Sequence, residues 1–231
     1  MNIFKDLFDT LVEFDDDVYR NIKTIRQSQD VFDDLASSRE DRAYAMAAAA
    51  APESDQPLVT RPFDYGTVIT YPFVPQNWHA TRYSDGTAYG VWYGSIELAT
   101  TVYETVHHWV RFVRDSFADY DHEIRADRRV FTVRVNGLLV DLRRKHTKFP
   151  GLIDPHGYGF THQVGRYLHE QRQNGLLVKS ARCDGLNCDV FNQEALANPR
   201  DVCYLTYRFT PTRPLFAVER TPGKTWMRLR V

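Results

Sequence analysis

The apolar positions of this chain change period along its length. Phe4, Leu7, Phe8, Leu11 and Val12 recur at three- and four-residue spacing, which predicts one apolar helix face. Tyr19, Ile22 and Ile25 predict a second helix after the acidic Asp15–Asp17. Phe32 and Leu35 predict a third, running into the alanine-rich stretch Glu40–Ala50. No Gly or Pro occurs before Pro52, and Ala51–Pro57 mixes two prolines with polar residues, as a linker does. The expected organisation is therefore an N-terminal helical extension over residues 1–60 and a body over 61–231. In the body the period shortens. Strands are expected at Val68–Pro72, Ala88–Tyr93, Arg129–Val135, Leu138–Leu142, Leu176–Val178 and Val202–Phe209, with one or two more in Pro211–Val231. Asn136-Gly137 between two alternating runs predicts a hairpin turn. Helices are expected over Ile96–Val113, capped by Ser95, and over Phe160–Asn174, closed by Gly175. The fold class is α/β of the α+β kind, a mixed β core with flanking helices.

Composition narrows what such a body can do. At 231 residues the chain buries enough apolar surface to need no disulfide staple. A net charge of −1 provides no global field toward nucleic acid or membrane. The start MNIFKDLFDTLVEF lacks the basic segment, apolar core and cleavage site of a signal peptide, and no apolar run is long enough to span a bilayer. Cys183, Cys188 and Cys203 do not form a zinc set with a second Cys/His pair, so they read as reduced thiols in a cytoplasmic protein. His107 and His108 are adjacent on a helix and diverge, so they are poorly placed to chelate one ion. The basic runs Arg125–Arg129 and Arg143–Lys148 read as solvated surface.

The chemistry concentrates in two stretches. Arg82–Glu104, RYSDGTAYGVWYGSIELATTVYE, sets an Arg-Tyr pair before an aromatic strand, a Tyr-Gly-Ser turn and a helix with one glutamate. GLLVKSARCDGLNCDVFN, residues 175–192, adds Ser180 and Asn187 after a short apolar strand. An arginine offers a planar fork to phosphate oxygens. Tyr83 and Tyr93 offer faces to a planar ring. Glu104 can stabilise positive charge. These groups together suit cleavage of NAD+ at its nicotinamide–ribose bond. Nicotinamide leaves neutral, so no proton donor is required, and one carboxylate near the ribose suffices where ordinary glycoside hydrolysis uses two.

At these residues the chain resembles the RES family of toxin domains, named for an arginine, a glutamate and a serine. The arginine would be Arg82 in His79-Ala-Thr-Arg-Tyr83, the glutamate Glu104 in YGSIELATTVYE, and the serine Ser180 in LLVKSAR. The resemblance spans about residues 75–215 and also carries over Tyr83 and Tyr93. It implies a compact ADP-ribosyltransferase-like fold. It also implies NAD+ as substrate without a further cofactor or metal, and a bacterial toxin–antitoxin pair whose Xre-like helix-turn-helix antitoxin blocks the pocket.

Three details qualify the expectation. The family's Gly-Gly-Arg-Trp-type segment is missing between Arg82 and the Tyr-x-Ser turn, so further phosphate contacts are expected from Arg182 or Lys179. Val102 stands where arginine-directed ADP-ribosyltransferases carry a second acid, which favours water or phosphate as acceptor. The competing readings are transfer of ADP-ribose to a specific protein or nucleotide, and a non-catalytic NAD- or partner-binding module; oligomerisation is left open.

Overall fold

The computed structural model describes residues 3–24 and 66–231. The chain divides into two compact units, residues 1–23 with 65–231, and residues 24–64; the described helices and strands belong to the first. The Phe4 side chain, Ile25, the expected Phe32–Ala50 helix and the Ala51–Pro57 linker lie outside the described residues.

The N-terminal pattern resolves differently from its helical expectation. Helix α1 covers only Ile3–Leu7, and strand β1 runs from Leu11 to Lys23. Val12, Phe14, Val18, Arg20 and Ile22 fall at even spacings, so the run satisfies a two-residue period that the intervening aspartates obscure. The partner settles the choice, because β1 pairs along its whole length with β3 (Ile124–Asp141), from Leu11 opposite Val140 to Lys23 opposite Arg128. The expected Asn136-Gly137 turn lies inside β3, where Asn136 faces Asp15 and Gly137 faces Phe14. The expected strand at Val68–Pro72 is instead helix α2, Gly66–Thr70, followed by a 3₁₀ turn at Tyr71–Phe73.

The remaining elements follow the sequence pattern more closely. They are β2 (Trp92–Ser95), α3 (Leu98–Ser116), α4 (Gly159–Glu170), β4 (Gly175–Lys179), β5 (Leu186–Val190), β6 (Leu196–Phe209), β7 (Leu215–Thr221) and β8 (Lys224–Arg230). All strands join one sheet in the order β1-β2-β5-β4-β3-β6-β7-β8, with the additional β1–β3 pairing. That pairing closes β1, β2, β5, β4 and β3 into a ring. The only parallel pair is β3 with β4 among the described strands, and α4 lies in the connection between them, as a crossover requires.

Each ring strand contributes to one buried cluster, including Val18, Trp92, Leu139, Leu177 and Val190. On the other side of β4, α4 lays Val164 and Leu168 against Leu176 and Val178. Helix α3 turns Val102, Val106, Trp109 and Val113 onto Leu205, Phe209 and Phe216 of β6 and β7. Its apolar stripe at three- and four-residue spacing fixes which way its polar face looks. Glu104 lies on that other side, and the cavity opens there. Among the described residues no helix is long and apolar enough to cross a membrane.

Candidate active site

A cavity of 520 Å³ lies between β1, β2, α3 and the loop that precedes β2. Arg82, Tyr93, Glu104 and Asn187 all line it.

Glu104 is fixed from the loop after β4 and from β5. Ser180 Oγ donates to Glu104 Oε1 at 2.7 Å, and Asn187 Nδ2 donates to the same oxygen at 2.7 Å. Both donors are themselves held. Asn187 Oδ1 accepts from Ser95 Oγ at 2.8 Å across the β2–β5 pair. Ser180 Oγ accepts from the backbone amides of Arg182 and Cys183 at 2.9 and 3.2 Å. Ser180 is 2% exposed and does not line the cavity, so its contact there runs through Glu104. Ser95, expected as a helix cap, has been drawn into this chain; Glu97 precedes α3 and makes no side-chain cap. Oε1 is therefore occupied, and Oε2 has no partner among the described residues.

Arg82 sits on a loop clamped from both sides. The Tyr93 hydroxyl accepts from the Tyr83 amide at 3.0 Å and shares a hydrogen bond with Thr81 Oγ1 at 2.8 Å. From α4, His162 Nε2 donates to the Thr81 carbonyl at 2.8 Å. Arg82 Nη1 donates to the Asp154 carbonyl at 3.0 Å, and the guanidinium lies 4.8 Å from the Tyr158 ring centre. No carboxylate pairs with it among the described residues, and its buried Nη2 has no hydrogen-bond partner there.

The two tyrosines separate. Tyr93 lines the cavity, and burial pushes its phenol up. Tyr83 does not line it: its side chain is wholly buried among Leu142, Val164 and Leu168, with no ring face for a ligand. The apolar core claims Tyr83 because its neighbour Arg82 points the other way, into the cavity.

Two residues escaped the sequence reading. Asp189 follows Asn187 by two on β5, so both face the cavity. It is 2% exposed, and burial, reinforced by the charge of Glu104, holds its carboxyl well above the usual range despite Arg82. Arg20 reaches the cavity from β1, donates from Nη1 to the Tyr93 carbonyl at 2.8 Å and stacks 5.1 Å from the Trp92 ring centre. The strand alternation of residues 12–22 was the signal that could have revealed it. Lys179 and Arg182, expected to supply further phosphate contacts, do not line the cavity, and Lys179 is paired with Asp184 at 2.9 Å.

A family model described as the RES domain matches residues 58–210. The chain belongs to the RES-domain family. Among solved structures, it is similar to a chain in the crystal structure of the M. tuberculosis MbcT–MbcA toxin–antitoxin complex, at 12% identity and a TM-score of 0.47, with 87% of each chain covered. No curated protein matches it. The RES-domain match takes in Arg82, Glu104 and Ser180, whereas β1 with Arg20 precedes it.

Proposed function

We propose that this RES-domain protein binds NAD+ in the cavity and breaks its nicotinamide–ribose bond, passing the ADP-ribosyl group to water or phosphate. The observation that carries the reading is the fixed Glu104. Two donors hold Oε1, which leaves Oε2 for a ligand in the cavity that Glu104 lines. As the C1′–N bond breaks, its electron pair leaves with neutral nicotinamide, and positive charge develops on the ribose. Oε2 stabilises that charge and holds the 2′-hydroxyl. A preorganised carboxylate is worth most where charge develops, because it does not reorganise during the step. An oxygen of water or phosphate then bonds to C1′; with water, the released proton passes to solvent by way of Oε2. Arg82 holds phosphate oxygens, Tyr93 flanks the nicotinamide, and Ser180 and Asn187 position Glu104.

Val102 packs in the core with no exposure, so the position that would carry a second acid offers none to a protein-arginine acceptor. The family reading extends to a cytoplasmic toxin of a bacterial toxin–antitoxin pair, restrained by a small Xre-like antitoxin that closes the cavity. Incubation with NAD+ and measurement of free nicotinamide tests the enzymatic claim. Glu104→Gln is expected to lower release about 10²–10³-fold while NAD+ binding persists. Undiminished release in that variant would remove Glu104 from the mechanism. Label from NAD+ accumulating on a macromolecule would favour a transferase.

A further inference from the structure

We infer that Arg20, on the strand that precedes the family domain, is a second phosphate-binding cation of this cavity and completes the grip of Arg82 on a phosphate-bearing ligand. The inference rests on the reading of the cavity as a nucleotide site.

Three residues that line the cavity each keep a buried nitrogen donor without an acceptor among the described residues: Arg20 Nε, Arg82 Nη2 and Trp78 Nε1. Unpaired buried donors are costly, and charged ones more so. Arg20 meets no carboxylate among the described residues; its contacts are a carbonyl and an indole face. Burial and the like charge of Arg128 lower its pKa to about 10, which still leaves it a cation at neutral pH. Two arginines that line one cavity, neither paired with a carboxylate among the described residues, match the several oxygens of a phosphate or diphosphate.

Tyr93 couples the pair. Its carbonyl takes Arg20, and its hydroxyl holds the Thr81 side chain and the Tyr83 amide on either side of Arg82. Arg20 has its own β-ladder position opposite Phe131, so the sheet sets its location independently of the Arg82 loop.

Binding measured by calorimetry tests this without requiring any bond to break. The probes are ADP-ribose, inorganic phosphate and adenosine. Arg20→Gln is expected to weaken a phosphate-bearing probe about tenfold or more, the loss of a charge-assisted contact, with adenosine unchanged. Weakening of ADP-ribose places Arg20 on the diphosphate; weakening of inorganic phosphate alone places it on the acceptor phosphate. Equal affinities in wild type and Arg20→Gln, equal losses for adenosine, or no phosphate binding by the wild type would overturn the inference. Should the Gln variant be thermally unstable because the Tyr93 carbonyl loses its donor, Arg20→Lys keeps the charge without the fork. It should bind phosphate probes between wild type and Gln; affinity equal to the wild type would argue against the fork. Arg20-dependent binding with no nicotinamide release would leave this inference standing and defeat the cleavage reading. Nicotinamide release at an unchanged KM in Arg20→Gln, with no binding difference, would do the reverse.

Discussion

Asp189 shows how far one residue's chemistry depends on its neighbours. Its carboxyl is buried beside Glu104, so the folded protein keeps a proton that the unfolded chain loses above about pH 3.8. Because the folded state then binds more protons than the unfolded one, stability falls as pH rises from that value toward the folded pKa. Asp189→Asn removes the ionisable group while preserving shape. Its denaturant midpoint should fall less than that of the wild type between pH 4 and pH 7; parallel curves would show that Asp189 ionises normally. The grouping of Glu104, Arg82 and Ser180 was legible in the sequence because their order and local motifs set them together, and the structure brings Ser180 onto Glu104 beside the cavity that Arg82 also lines. Asp189 and Arg20 were not, because single charged residues read as solvated surface until strand pairing places them. Tyr83 failed for the opposite reason: adjacency to Arg82 suggested a shared site, yet neighbouring residues in an extended loop point to opposite sides.

At the scale of elements, the cavity depends on how closely α4 approaches the Arg82 loop. A Cβ at Gly165 would stand 1.8 Å from the Tyr83 carbonyl oxygen and 2.9 Å from the Tyr89 hydroxyl. Tyr89 donates to that same carbonyl at 2.7 Å, so the contact cannot open without breaking the loop's own bond. Gly165→Ala should therefore cost about 1–3 kcal/mol as overpacking, read from the denaturant midpoint, and should also weaken ADP-ribose binding. Gly159→Ala, on the same helix, meets nothing within 4 Å and should have little effect; equal losses in the two variants would refute the packing argument. Helix α3 was legible from its apolar stripe. The end of α4 was displaced, since Gly175 starts β4 and Arg172, at φ 53°, closes the helix. Arg172 and Gln173 donate to the carbonyls of His169 and Leu168, the bonds of a Schellman stop. A favourable bond pair there tolerates a left-handed arginine, which local propensity assigns to glycine.

For the molecule as a whole, the first 23 residues are built into the sheet of the family domain. A region matched over 58–210 invites the assumption that what precedes it is an appendage. The pairing contradicts that economy, because β1 covers one edge of β3 for thirteen residues and supplies Val18, which has no exposure, to the ring's core. Without β1, the β3 edge carrying Val130, Phe131, Val133 and Val135 would lose its partner, and an unpaired apolar edge favours association between chains. The helical expectation missed this because the choice between periods was settled by β3, more than a hundred residues later. A chain beginning at residue 58 is accordingly expected to lose cooperative thermal unfolding and to aggregate, whereas the full chain is expected to melt cooperatively, both followed by circular dichroism. A cooperative melt of the shortened chain, with ADP-ribose binding intact, would show that β1 is dispensable and would also remove Arg20 from the site. A cooperative melt with weakened binding would separate its two roles, leaving β1 needed for the ligand and not for the fold.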